Sequence, residues 1–255
     1  MTNELIVAGF HRSGTSFTAQ NLHHHGLFLG DDLLGAAPSN PYGHFEDRQV
    51  VVIHETLLRD NGVTWQVDRP LLPSVRATTW EHIERFVATR RSEHSFWGFK
   101  DPRVCLFLGL WRHVMPEARL LAVYRPYWSS VRSLHRRHAS QHAEGLPPAE
   151  SHLRFFQEPD LALRMWINHN LALIRECRAF PETSMLIRFD RLAEGYPLLQ
   201  RLRQQWNLPL RQSASERQLF DPAATESGRR IEILDPELKR QAEHVMDELE
   251  KLHAD

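Results

Sequence analysis

A short segment near the amino terminus combines glycines, hydroxyl side chains and one cation. It reads GFHRSGTS (Gly9–Ser16), follows an apolar run of strand length and precedes a helical pattern. Gly9 and Gly14 have the spacing of a phosphate-binding loop, in which backbone N–H groups and a helix N-terminus together bind an anion. The segment therefore predicts an anion site. The alternative interpretation is a tight strand-to-helix turn with an N-capping Ser.

The loop differs from that of nucleotide triphosphatases. Those enzymes place a lysine before the final hydroxyl residue, where it reaches the β- and γ-phosphates. This chain has Thr15 at that position, and Arg12 supplies the positive charge earlier in the loop. The next predicted strands end in Lys100-Asp101 and Arg125, which offers no convincing aspartate for magnesium. The loop suits an anion but is a poor fit for Mg·ATP.

A second pattern of this kind follows a later strand. Arg125 comes directly after the apolar run Arg119–Tyr124, and Ser133 lies eight residues beyond Arg125 on the next predicted helix. A guanidinium at a strand end and a hydroxyl on the following helix can together bind a second anionic group. Taken alone, this pair is more safely interpreted as a surface Arg and a helix-facing Ser.

Together the two segments resemble the sulfotransferases that use 3′-phosphoadenosine 5′-phosphosulfate (PAPS). Phe10–Ser16 looks like the 5′-phosphosulfate loop of that family, with Arg12 where many members have lysine. Arg125 and Ser133 have the spacing of its 3′-phosphate site. Three further segments are similar to bacterial members: Asn40–Asp47, Gly98–Arg103 and Ile187–Leu192. The resemblance extends from residue 5 to about residue 195, with a weaker tail.

The resemblance implies transfer of a sulfuryl group from PAPS to a hydroxyl or amine, with 3′-phosphoadenosine 5′-phosphate (PAP) as the product and no metal. The main chemical requirement is a set of fixed cations at the bridging oxygen, because charge develops there as the phosphate leaves. Arg12 and Lys100, which falls on the family's catalytic lysine, are the predicted cations. The expected cofactor-binding residues are Arg12, Ser13, Gly14, Thr15, Ser16, Arg125 and Ser133.

An acceptor hydroxyl also needs a base. Cytosolic small-molecule members have a catalytic His two residues after the lysine, where this chain has Pro102. Glu46 matches the glutamate used by glycan-type and several bacterial members, and it is the predicted base. The fallback bases are His44 and Asp101. An alternative interpretation of Glu46 is a structural salt bridge with Arg48 or Arg103.

Several other basic residues have weaker assignments. Arg132, Arg136 and Arg137 could extend the second basic pattern, but a solvated helix face is the favoured interpretation of each. In the tail, Glu226–Arg230 falls where family members often bring an Arg-containing loop over the nucleotide, so Arg229 or Arg230 is nominated as a cofactor contact. The histidines at 23–25 do not predict a metal site, because consecutive helix residues point in different directions.

The remaining pattern predicts an α/β fold with a mostly parallel central sheet and helices on both faces. By resemblance this is the P-loop-like sulfotransferase fold, as a single domain over residues 1–255. Strands are expected at 4–10, 96–100, 119–124 and 184–189. Helices are expected at about 16–25, at 104–114, through Val131–His138, at 160–177 and from Asp235, its N-cap. Residues 140–159 are interpreted as a long loop or lid.

Composition excludes several classes of protein. The 255-residue chain is 42% hydrophobic and 25% charged, as in ordinary globular proteins, so it is not disordered, collagen-like or a coiled coil. With 31 Lys and Arg against 32 Asp and Glu, it lacks the bulk positive charge of a nucleic-acid-binding protein. No apolar run approaches the ~20 residues of a membrane span. The amino terminus does not resemble a signal peptide, and two cysteines cannot form a disulfide framework. These features predict a cytoplasmic protein.

Two other functions stay open at this point: a nucleotide or small-molecule kinase of the same fold, and a non-catalytic module that binds PAP or another anion. No pattern identifies the acceptor, which is expected to be a small molecule, a glycan or a lipid. Residues 31–95 and 140–160 are predicted to shape its pocket. Members of the family often form homodimers, and no motif decides the matter for this chain.

Overall fold

The computed structural model describes residues 3–35, 43–143, 150–212, 233 and 235–253. Four parallel strands form a central sheet in the order β2-β1-β3-β4. They are β1 (Glu4–Ala8), β2 (Trp97–Lys100), β3 (Arg119–Tyr124) and β4 (Ser184–Arg188). The predicted parallel α/β fold is confirmed. β1 and β4 end before Phe10 and Phe189, at which the sequence pattern placed their ends.

Ten α-helices surround the sheet in the described part of the chain. They are α1 (Thr15–His24), α2 (Arg48–Asp60), α3 (Ala77–Glu93), α4 (Leu108–Val114), α5 (Tyr127–Ala143), α6 (Glu150–Gln157), α7 (Leu161–Ala179), α8 (Phe189–Ala193), α9 (Leu198–Trp206) and α10 (Pro236–Leu252). As expected, Asp235 caps α10 by accepting hydrogen bonds from the backbone N–H groups of Glu237 and Leu238.

Alternate residues of β1, β3 and β4 enter two separate hydrophobic cores. Leu5 and Val7 of β1 pack with apolar side chains of α1, α8 and α9. Ile6 and Ala8 pack on the opposite face with those of α2, α3, α4, α5, α7 and α10. Both faces of the sheet are therefore covered, which explains why the strands are continuous apolar runs.

The strand order brings the predicted functional segments together. β1 pairs with β2 on one side and with β3 on the other, with Val7 opposite Lys100 and Ala8 opposite Ala122. The chain thus leaves β1 towards one neighbour and later returns to the other, which creates a crevice at the carboxyl ends of the strands. The turns after β1, β2 and β3 meet at this crevice.

Two sequence predictions were wrong in detail. Residues 140–159 are not one long loop, because α5 continues to Ala143 and α6 covers Glu150–Gln157. The ring of Phe155 anchors α6, with its centroid 4.6 Å from that of His138 and 5.7 Å from that of Trp65. The single helix expected at 104–114 is a 3₁₀ helix, Pro102–Leu106, followed by α4.

No helix in the described ranges is long and apolar enough to cross a membrane.

Candidate active site

The turn after β1 has the backbone of an anion-binding loop. Gly14 is the N-cap of α1, with φ 89°, and no described side chain caps this helix. The alternative of an N-capping Ser is therefore wrong. A Cβ at Gly14 would lie 2.0 Å from the ring of Phe189, and one at Gly9 would lie 2.3 Å from the carbonyl oxygen of Val123. Both positions require glycine, and the uncapped N–H groups of the first turn of α1 suit an anion.

The loop is bonded to α5, which follows β3. Arg12, itself in the left-handed region with φ 65°, donates from Nε to Ser133 Oγ at 3.0 Å. The hydroxyls of Ser13 and Ser130 lie 3.5 Å apart. Both of the predicted anion-binding segments therefore belong to one site.

Basic side chains concentrate around this junction. Burial, together with the charges of Arg137, Arg125 and Arg136, lowers the pKa of Arg12 to about 10. Arg125 is buried, and its guanidinium carbon lies 5.5 Å from the ring centroid of Phe189. Several partly buried cations close together are expected where a protein binds an anionic ligand.

Lys100, at the end of β2, is held by three acceptors. Its Nζ atom donates to Glu46 Oε1 at 2.5 Å, to Ser16 Oγ at 3.2 Å and to the carbonyl oxygen of His44 at 3.2 Å. The side chain is buried. The ammonium group is therefore fixed beside the first turn of α1.

Glu46 lies between two cations. Besides Lys100, it forms an ion pair with Arg103, whose Nη2 lies 3.6 Å from Glu46 Oε2. One of its two alternative salt bridges is thus present, whereas Arg48 pairs with Asp32 instead, at 2.8 Å. The fallback base His44 has Nδ1 4.0 Å from Glu46 Oε1, and burial lowers its pKa.

The other fallback base, Asp101, has a structural position. It is fully buried and caps the 3₁₀ helix by accepting from the N–H of Arg103 at 2.8 Å. Its carboxylate also contacts Arg103 Nε at 2.8 Å and His54 Nδ1 at 3.2 Å. Burial alone would raise the pKa of Asp101, but Arg103 and His54 hold it well below its usual range.

These contacts form a continuous polar chain into the core. Trp111 Nε1 donates to His54 Nε2 at 2.8 Å, His54 contacts Asp101, and Asp101 binds Arg103. Arg103 in turn contacts Glu46. The chain fixes Arg103, and through it one side of the Glu46 carboxylate.

Two residues of the site were not selected from the sequence. The ring of His11 lies 4.8 Å from that of Trp65, and its buried Nε2 has no hydrogen-bond partner within the described ranges. Burial holds the pKa of His11 well below its usual value. Arg137, which the sequence assigned to a solvated face, is only partly exposed. The signal that could have found it is the helical spacing of Ser130, Ser133 and Arg137.

Arg229 and the rest of the segment Glu226–Arg230 lie outside the described residues. Two of the histidines at 23–25 contact backbone carbonyl groups: His23 Nδ1 lies 3.1 Å from the carbonyl oxygen of Leu27, and His25 Nδ1 lies 2.7 Å from that of Asn21. The described residues contain no group of three or more His, Cys, Asp or Glu side chains placed to hold a metal ion.

No protein-family model matches this chain, and no curated protein matches it. Solved structures do. One is the sulfotransferase domain from the curacin biosynthetic pathway, with a TM-score of 0.56, 13% identity and 98% coverage of both chains. Another is the sulfotransferase domain from the Synechococcus PCC 7002 olefin synthase, with a TM-score of 0.51, 14% identity, and coverage of 100% of this chain and 96% of that one. The chain therefore has the fold of the bacterial sulfotransferase domains.

Proposed function

We propose that this protein is a sulfotransferase that moves a sulfuryl group from PAPS to a hydroxyl or amine of an acceptor. One observation carries the proposal: the turns after β1, β2 and β3 meet at one crevice, with Arg12 bonded to Ser133 and Lys100 bonded to both Ser16 and Glu46. A cation set, an anion-binding loop and a carboxylate are the parts that sulfuryl transfer requires.

The residues present fit a nucleotide with anionic groups at both ends. Gly14, at φ 89°, turns the chain into α1 without a capping side chain among the described residues, so the backbone N–H groups of Ser13–Ser16 can bind a 5′-phosphosulfate. Arg125 and Ser133 both interact with Arg12, and they would bind the 3′-phosphate. PAPS would supply an activated sulfuryl group and a phosphate that leaves readily.

Different side chains of the site have different roles in sulfuryl transfer. The S–O bond to the leaving phosphate breaks and an S–O bond to the acceptor oxygen forms, so negative charge grows on the former bridging oxygen. Arg12 and Lys100 are the fixed cations that stabilise this charge. Glu46 accepts the proton of the acceptor hydroxyl, which requires that it exchange a contact with Lys100 for one with the acceptor.

Thermal stabilisation by PAP tests the proposal most directly. The purified protein is heated with PAP, and separately with Mg·ATP, AMP and 3′-AMP. A ligand at ~100 times its dissociation constant adds about 2.7 kcal/mol of stability. We expect a clear shift with PAP, a smaller one with 3′-AMP and none with Mg·ATP. Arg125→Ala removes the shift, whereas Arg85→Ala, which removes an exposed charge from α3, leaves it unchanged.

Two outcomes contradict the proposal. Stabilisation by Mg·ATP without any by PAP would favour a kinase of the same fold. No stabilisation by any of the four ligands would show that the crevice does not bind this class of nucleotide. If PAP binds as expected, a screen of hydroxyl and amine compounds with PAPS identifies the acceptor.

A further inference from the structure

One face of α5 is directed at the loop after β1. Ser130 and Ser133 both contact that loop, at 3.5 Å from Ser13 Oγ and 3.0 Å from Arg12 Nε respectively. Arg137 lies one helical turn beyond Ser133, so it belongs to the same face. It is partly buried, whereas the adjacent Arg136 is exposed. Arg137 therefore extends the row of α5 side chains that meet the loop.

The charge of Arg137 acts on groups from two different segments of the site. It lowers the pKa of Arg12 and His11 on the loop, and that of His44 on the segment before α2. The carboxylate of Glu46 acts on Arg137 in return, opposing the lowering of its pKa by burial. Together with its place on the face of α5 that contacts the loop, these interactions put Arg137 near both Arg12, on the leaving-group side, and Glu46, on the acceptor side.

A purely structural role does not account for this position. Glu46 already contacts Lys100 and Arg103, so it does not need Arg137 to balance its charge. Arg12 and Arg137 are two partly buried guanidinium groups that repel each other. The Nε atom of Arg137 is buried and makes no hydrogen bond within the part of the chain that the structure describes. An anionic group between the two guanidiniums would relieve the repulsion and satisfy this donor.

We infer that Arg137 is a catalytic residue that binds the oxygens of the sulfuryl group as it passes from the donor to the acceptor. This inference rests on the proposed function. The loop and Arg125 are assigned to the two phosphates, and Arg12 and Lys100 to the bridging oxygen between phosphorus and sulfur. Arg137 is assigned to the remaining sulfuryl oxygens. The guanidinium contacts that group throughout the transfer, and the proton of the acceptor still goes to Glu46.

Binding of PAPS and of PAP provides a test that does not depend on turnover, because the two differ only in the sulfuryl group. Dissociation constants of both are measured for the wild type, Arg137→Ala and the matched control Arg136→Ala. We expect Arg137→Ala to weaken PAPS binding about tenfold and to leave PAP binding within twofold of the wild type. Arg136→Ala leaves the ratio of the two constants unchanged. Arg137→Lys restores part of the PAPS affinity, because it restores the charge but not the planar fork.

Turnover gives the second readout. Release of PAP from PAPS, with water or a screened acceptor, should fall about 100-fold in kcat for Arg137→Ala, as on removal of a donor that stabilises transition-state charge. An unchanged ratio of PAPS to PAP affinity in Arg137→Ala would overturn the inference. So would an equal loss of both ligands, which indicates a role in nucleotide binding or folding. If the wild type binds neither PAP nor PAPS, the proposed function itself is wrong, and the inference about Arg137 is wrong with it.

Discussion

Arg12 and Ser133 are 121 positions apart in the sequence, and a hydrogen bond of 3.0 Å joins Arg12 Nε to Ser133 Oγ. The contact exists because β3 lies beside β1 in the sheet, so the helix that follows β3 starts next to the loop that follows β1. Arg12 adopts φ 65°, a strained conformation for a residue with a Cβ. The bond to Ser133 helps to hold the guanidinium in place despite that strain.

Replacing Ser133 should therefore weaken nucleotide binding. Ser133→Ala removes the acceptor of Arg12 Nε together with a hydroxyl assigned to the 3′-phosphate. Since a hydrogen bond to a charged group contributes about 1.5–3 kcal/mol, we expect PAP affinity to fall at least tenfold in calorimetric titration. Ser129→Ala, on the same helix, is the control and should bind PAP like the wild type. Equal affinities for the two variants would remove Ser133 from the binding site.

Lys100 should matter for transfer more than for binding. Lys100→Met keeps the volume of a buried side chain and removes the ammonium from beside Ser16 and Glu46. We expect release of PAP from PAPS to slow by about 10²–10³, as on removal of a group that stabilises developing charge. The dissociation constant of PAP should stay within threefold. Turnover at the wild-type rate would show that Lys100 has only a structural role.

Glu46 and Glu55 form a natural pair for testing the base, because both contact Arg103. The distances are 3.6 Å for Glu46 and 3.1 Å for Glu55, which is exposed. Glu46→Gln should reduce kcat with a hydroxyl acceptor by about 10²–10⁴, the usual contribution of a general base. Glu55→Gln neutralises the second glutamate that contacts Arg103 and should change kcat less than twofold. Similar losses in both variants would indicate that Arg103 positioning, and not proton transfer, is what Glu46 provides.

The loop glycine gives a prediction about backbone shape. Gly14→Ala places a methyl group 2.0 Å from the Phe189 ring, at φ 89°, so we expect loss of PAP binding and destabilisation by about 2 kcal/mol or more. The matched control is Gly109→Ala on α4, where a Cβ meets open space. That variant should gain about 0.5–1 kcal/mol, because alanine favours the helix. Urea unfolding measures both changes, and a neutral Gly14→Ala would mean that the loop adapts to a side chain.

The site could be predicted from the sequence where its residues follow buried strands. Continuous apolar runs marked β1, β2 and β3, and parallel sheets bind ligands at the carboxyl ends of their strands. Gly14 and Arg12 stood out for this reason. The resemblance assigned Glu46 and Lys100 to one site, but the contact between them was not predicted, because no local pattern connects residues on different segments.

Sequence patterns did not predict which polar side chains are buried, or where some of the helices lie. Arg137 belongs to a helix rich in Arg and His, on which a partly buried cation cannot be distinguished from a solvated one by periodicity alone. Asp101 was a fallback base because it follows the lysine strand, but it contacts His54 on α2, which is bonded in turn to Trp111 on α4. The segment at 140–159 contains Gly145, Pro147 and Pro148, which hid the helices on either side of them.

Histidine burial predicts how stability depends on pH. His169 is fully buried, and burial lowers its pKa to about 4, partly opposed by the bond of Nδ1 to the carbonyl oxygen of Met165. In the unfolded chain a histidine titrates at about 6.5. Between these values the unfolded state binds a proton that the native state does not, so the free energy of unfolding decreases as the pH falls. The stabilisation is fully present above about pH 6.5 and is lost progressively towards pH 4.

The slope of that loss approaches about 1.4 kcal/mol per pH unit for one such histidine. His169→Phe keeps the contact with the Phe10 ring, 5.3 Å away, and removes the titrating group. Urea unfolding at several pH values between 7 and 4.5 should therefore give a shallower decline for His169→Phe than for the wild type. Some decline persists, because burial also lowers the pKa of His11. The control is His82→Phe, which changes an exposed residue of α3 and should keep the wild-type slope. Identical slopes in all three proteins would mean that His169 is protonated in the native state.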